Sequence, residues 1–108
     1  MGKLNAAQKF KRDFRASKVW TSFRHLINIK QKGLDPITQK KLCRGANLHH
    51  KDLNEAHYTD LSNEEHFVML NKKTHSMIHF LYTYYRKDKN IINRIVDLLE
   101  EMYVINEQ

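Results

Sequence analysis

Residues Ala46 to Phe80 read ANLHHKDLNEAHYTDLSNEEHFVMLNKKTHSMIHF and hold six of the chain's seven histidines: His49, His50, His57, His66, His75 and His79. Imidazole changes charge near neutral pH and is a common metal ligand, so such a run points to metal binding, proton transfer or both. His75 and His79 lie four apart. On a helix that spacing projects both rings from one face, where they can grip one ion together. His49 and His50 are adjacent, and on a strand adjacent side chains point to opposite faces. One could meet a metal while its neighbour meets a substrate; the plainer alternative is two exposed or hydrogen-bonded side chains.

These side chains need elements to position them. ANLHH and HFVML read as two short strands separated by the polar loop KDLNEAHYTDLSNEE. From about Lys72 the pattern turns helical, with Met77, Phe80, Leu81 and Tyr84 on a face expected to be buried. His75, His79, Tyr82 and Arg86 fall on roughly the opposite face. A last helix carries Ile91, Ile95, Leu98, Leu99, Met102 and Ile105 at core spacing, with Asp88 or Asn90 as its cap. Upstream, Phe10, Phe14, Trp20, Phe23 and Ile27 keep helical spacing, and Ser17 is placed to cap a second segment running to about Lys30. KGLDPITQK then reads as a turn. The expected organisation is a single α+β domain over residues 1–108: a basic helical region (1–33), a strand–strand–helix core (46–85) and a closing helix (88–106).

The formal charge is +7, unevenly spread. Residues 1–44 carry twelve Lys and Arg against Asp13 and Asp35, whereas the remainder carries seven against ten acidic residues. A basic half beside a histidine-rich half suits a polyanion held by one end and handled at the other. Nucleic acid is the natural candidate, because neutralising phosphates supplies most non-specific affinity. Lys11, Arg15 and Lys18 fall at i, i+4 and i+7, Lys72 and Lys73 stand at a helix start, and Arg86 shares the histidine face; all six are candidate phosphate contacts. No apolar run approaches the roughly 20 residues that a membrane span needs. The lone Cys43 suits a reducing, cytoplasmic compartment and is expected as a small packing residue.

The histidine pair ending one strand, the second strand and the HxxxH helix together resemble the HNH endonuclease family. The likeness covers Asn47 to His79, about a third of the chain. It extends to the register, with His50 to His66 sixteen residues, His66 to His75 nine and His75 to His79 four. The run DPIT…ANLHH…HFVMLNKKTHSMIHFLY is similar to that of small HNH proteins carried by bacteriophages of Gram-positive bacteria. The resemblance implies a ββα-metal finger with flanking helices, in the host cytoplasm if phage-encoded. It implies His50 as general base and His49, His75 and His79 as ligands of one divalent ion: Mg²⁺, Mn²⁺, Zn²⁺ or Ni²⁺.

Two departures stand out. The position that usually holds an asparagine orienting the base is His66, with Asn63 three residues earlier as the alternative. The two CxxC knuckles of many HNH proteins are absent. DPIT and NKKT stand in their places, where Asp35/Thr38 and Asn71/Thr74 are expected to close the turns by side-chain hydrogen bonds. His57 and Tyr58 are expected to be solvated, and His25 to be structural. The implied function is metal-dependent hydrolysis of DNA. The alternative is an HNH-fold phage regulator or inhibitor of host defence, binding DNA or a host or phage protein with little nuclease activity. The chain is expected to be a monomer or a homodimer away from membranes.

Overall fold

A computed structural model describes residues 3–107. Among the described residues the fold is α+β, with four α-helices and one two-stranded antiparallel sheet. Helix α1 (Ala6–Arg15) starts at a reciprocal capping box between Asn5 and Gln8. Ser17 caps α2 (Lys18–Lys30), its hydroxyl accepting from the Trp20 N–H while donating to the Phe14 carbonyl. That break has a consequence for charge. Lys18 opens a new helix, so Lys11, Arg15 and Lys18 do not form the single helical stripe that their spacing suggests.

Helix α2 turns Trp20, Phe23 and Ile27 inward, as their spacing requires. It ends at Gln31 in a turn whose Gly33 (φ 72°) donates back to the Asn28 carbonyl. Strands β1 (Asn47–His50) and β2 (Phe67–Leu70) pair in the register His49↔Val68 and His50↔Phe67. Each is one residue shorter than its apolar pattern suggests. His66 is drawn into a short 3₁₀ turn, Glu64–His66, that follows another at Glu55–His57. Leu48 and His50 share one sheet face with Phe67 and Met69. That face meets α2 to form the core of Trp20, Phe23, Ile27, Leu42, Ala46, Phe67 and Met69. The Gln31 side-chain amide bonds both the N–H (2.6 Å) and the carbonyl (3.0 Å) of Met69.

Asp35 is fully buried and ties three segments together. One oxygen accepts from the N–H groups of Ile37 (2.8 Å) and Thr38 (3.1 Å); the other accepts from Asn71 N–H (2.9 Å). The Thr74 hydroxyl also bonds this carboxylate. Asn71 in turn accepts from Cys43 N–H (2.7 Å) and donates to the Lys41 carbonyl (3.1 Å). The turns DPIT and NKKT are thus joined through side-chain oxygens. Burial would raise the Asp35 pKa, but the hydrogen bonds from Asn71, Thr38, Ile37 and Thr74 outweigh it and hold the carboxylate below its ordinary range. Cys43 is exposed rather than packed; its N–H bonds Asn71, and its thiol donates to the same Lys41 carbonyl at 3.8 Å.

Helices α3 (Lys72–Tyr85) and α4 (Lys89–Asn106) complete the chain. By internal packing, one compact unit ends at Thr74 and a second begins at His75, within α3. The second unit differs from expectation. On α3, Met77, Phe80 and Tyr84 are exposed, and on α4 no residue is buried; Leu98, Leu99, Met102 and Ile105 are between 49 and 72% exposed. Helical periodicity marks which face is apolar, but it does not supply a surface to cover that face. Asp88 is the α4 cap, accepting from Asn90 N–H. Among the described residues no helix is long and apolar enough to cross a membrane.

Candidate functional site

His50 ends β1 on the core side of the sheet, opposite Phe67. Its ring packs near-parallel to two aromatic rings, Trp20 (5.5 Å between centroids, 13° between planes) and Tyr58 (4.8 Å, 14°). Phe67 closes a third side at 4.8 Å. Nε2 lies 3.1 Å from the Tyr58 carbonyl oxygen. A carbonyl can only accept, so this contact assigns the proton of a neutral imidazole to Nε2 and the basic lone pair to Nδ1. Such an arrangement suits a proton acceptor, with ring, tautomer and orientation all fixed by neighbours.

Tyr58 is itself braced. Lys11 Nζ sits over its outer face at 4.8 Å, Phe14 meets its edge, and Glu55 holds the same ammonium at 2.7 Å. Lys11 therefore belongs to a stack running Lys11–Tyr58–His50–Trp20. The polar loop composition around Tyr58 suggests solvation, and the stack corrects it. Its stacking partner lies eight positions upstream, a separation with no local periodicity to reveal it.

The loop between the strands lines a pocket of about 240 Å³ together with His50; Asp52, His57, Asp60, Ser62, Asn63, His66 and Phe67 are its other walls. Asp52 accepts from Asn54 N–H (2.9 Å), lies 2.7 Å from His57 Nδ1, and has His66 Nδ1 at 3.9 Å. The Asn54 bond first, and the His57 contact second, lower the Asp52 pKa. Asp60 is lowered chiefly by the Ser62 hydroxyl and N–H. Neither aspartate stands out in the sequence; each sits at the start of a tight turn, where Asp is also common for purely local reasons. Of the two residues expected to orient the base, Asn63 caps the second 3₁₀ turn, and the His66 carbonyl accepts from Lys51 N–H. The carbonyl that meets His50 belongs to Tyr58.

His49 is half-buried on the opposite sheet face from His50, as strand geometry demands. In the second unit, His75 and His79 stack along α3 with ring centroids 6.0 Å apart. Burial, and secondarily the His79 charge, lower the His75 pKa and favour the neutral form that ligates metals. Two imidazoles one helical turn apart suit a shared ion. Among the described residues, however, no three His, Cys, Asp or Glu side chains converge on one metal position. Arg15, Lys18, Lys72, Lys73 and Arg86 are all exposed, as is His25.

No family model matches the chain, and neither does any curated protein or solved structure. The likeness to HNH endonucleases therefore rests on the residues themselves.

Proposed function

We propose that the chain is a metal-dependent endonuclease of the ββα-metal type, hydrolysing DNA phosphodiester bonds with His50 as general base. The observation that carries this reading is the His50–Tyr58 carbonyl bond, which leaves Nδ1 as the proton acceptor in a ring already locked by stacking. In the reaction, Nδ1 takes a proton from water as the water oxygen bonds to phosphorus, and the P–O3′ bond breaks with its electron pair on the 3′-oxygen. Solvent reprotonates that oxygen. His75 and His79 would hold the divalent ion (Mg²⁺, Mn²⁺, Zn²⁺ or Ni²⁺). When bound, the ion supplies positive charge at the scissile phosphate.

Supercoiled plasmid is expected to be nicked or linearised with at least one of Mg²⁺, Mn²⁺ or Ni²⁺ and to survive in EDTA. His79→Ala should weaken metal binding about tenfold or more in calorimetry, as removal of one ligand from a small set implies. Intact DNA in every metal would remove the nuclease reading.

A second reading has its own support. A histidine packed near-parallel against two aromatic rings is also what a structural histidine looks like. On that reading the basic first unit binds DNA or a protein, without hydrolysis, as a phage regulator would. Binding is tested by salt dependence. Arg15→Gln with Lys18→Gln should reduce the slope of log K against log salt by about 2, near 0.9 for each phosphate no longer neutralised. Lys11→Gln should change it far less, because Lys11 is paired with Glu55. Equal slopes for all variants would remove these two side chains from the interface.

A further inference from the structure

Helix α4 is 18 residues long and has no buried residue. Yet Ile91, Ile95, Leu98, Met102 and Ile105 recur at alternating steps of four and three, the spacing of a coiled-coil seam. Ile92 and Leu99 widen that seam along one flank. The other flank carries Arg94 and Glu101, seven residues apart and equivalent within the repeat. Among the described residues, Arg94 pairs with Asp88, at 3.8 Å and in solvent.

We propose that α4 pairs with α4 of a second copy of this chain, antiparallel about a twofold axis. Charge selects both the occupant and the direction. Antiparallel pairing sets equivalent flanks against each other, so Arg94 meets Glu101 of the second copy and Glu101 meets its Arg94. Parallel pairing sets unlike flanks together and leaves Arg94 beside Leu99. The twofold also lays Ile92 against Leu99 of the second copy, covering the apolar flank in the same step. A lipid surface fits poorly, because membrane-lying helices carry Lys and Arg on the polar face, whereas α4 carries Asp97, Glu100 and Glu101 there. The acidic face also repels nucleic acid. The helix is about 27 Å long at 1.5 Å per residue, a short seam, which sets the expected affinity in the micromolar range.

Sedimentation equilibrium of the full chain is expected to show a concentration-dependent dimer. Leu98→Glu should abolish it while circular dichroism shows the helix content retained. Glu101→Arg should weaken it about tenfold, since two attractive pairs become repulsive. The exchange Arg94→Glu with Glu101→Arg rebuilds both pairs and should restore the wild-type constant. That rescue separates antiparallel pairing from general stickiness. A chain still monomeric at about 0.5 mM, well above a micromolar Kd, overturns the proposal, including where phosphatidylserine vesicles sediment it instead. So does a dimer that survives Leu98→Glu, or an exchange variant no tighter than Glu101→Arg. None of these outcomes depends on nuclease activity.

Discussion

His50→Phe is expected to lower the rate of plasmid cleavage by about a thousandfold, within the roughly 10²–10⁴ that removal of a general base typically costs. Phenylalanine is the informative replacement. It keeps an aromatic ring against Trp20 and Tyr58, so the packing and the β1–β2 pairing should persist, whereas alanine would also leave a hole there. Loss of rate with unchanged thermal unfolding then reports chemistry rather than collapse. Tyr58→Leu gives a graded comparison. It retains the main-chain carbonyl that bonds Nε2 but removes the ring beneath His50 and the platform under Lys11. Misorientation of this kind should cost about tenfold to a hundredfold in rate. Cleavage by His50→Phe at the wild-type rate would remove His50 from the reaction.

The second large effect concerns stability. Asp35→Ala should destabilise the protein by about 3–5 kcal/mol, because it leaves the buried N–H groups of Ile37, Thr38 and Asn71 without their acceptor. Against a total of roughly 5–15 kcal/mol for a small domain, that loss is visible as a large fall in the urea midpoint. Asp35→Asn should fall between, since an amide keeps one acceptor but sets a donor against a donor. The same carboxylate makes a pH prediction. Its folded pKa lies below the ordinary aspartate value of 3.8. Its contribution is therefore fully present above pH 3.8 and is lost as pH falls through the lowered folded value. Stability measured from about pH 6 downward should hold for this group until about pH 4 and then drop, and Asp35→Ala should flatten that acid limb. A cost under about 1 kcal/mol for Asp35→Ala, no more than an ordinary surface change, would show that the junction is held elsewhere.

What is legible in the sequence follows from periodicity and short turns. The inward face of α2, the two strands with His49 and His50 on opposite sides, and the caps Ser17 and Asp88 all follow from local pattern. The DPIT and NKKT turns are also readable, because Asp and Asn bond nearby main chain. That Asp35 reaches Asn71 depends on tertiary placement, and the pairing of the two turns is suggested only by the family resemblance. The site is legible in its histidines and illegible in what surrounds them. Tyr58, Asp52 and Asp60 lie in a loop whose two 3₁₀ turns have no repeating pattern. The apolar stripes of α3 and α4 mislead in the other direction, since a pattern that fits a core equally fits a surface awaiting a partner.

Gln31 limits what the sheet can recruit. In the β1–β2 register, Met69 turns its N–H and carbonyl away from β1, and one glutamine amide takes both. A side chain thus stands in for one residue of a third strand. An incoming extended peptide would have to displace it to add along β2. The same plug blunts the unpaired edge that lets small sheets stack into fibrils. Recognition by backbone ladder is therefore hindered along that edge.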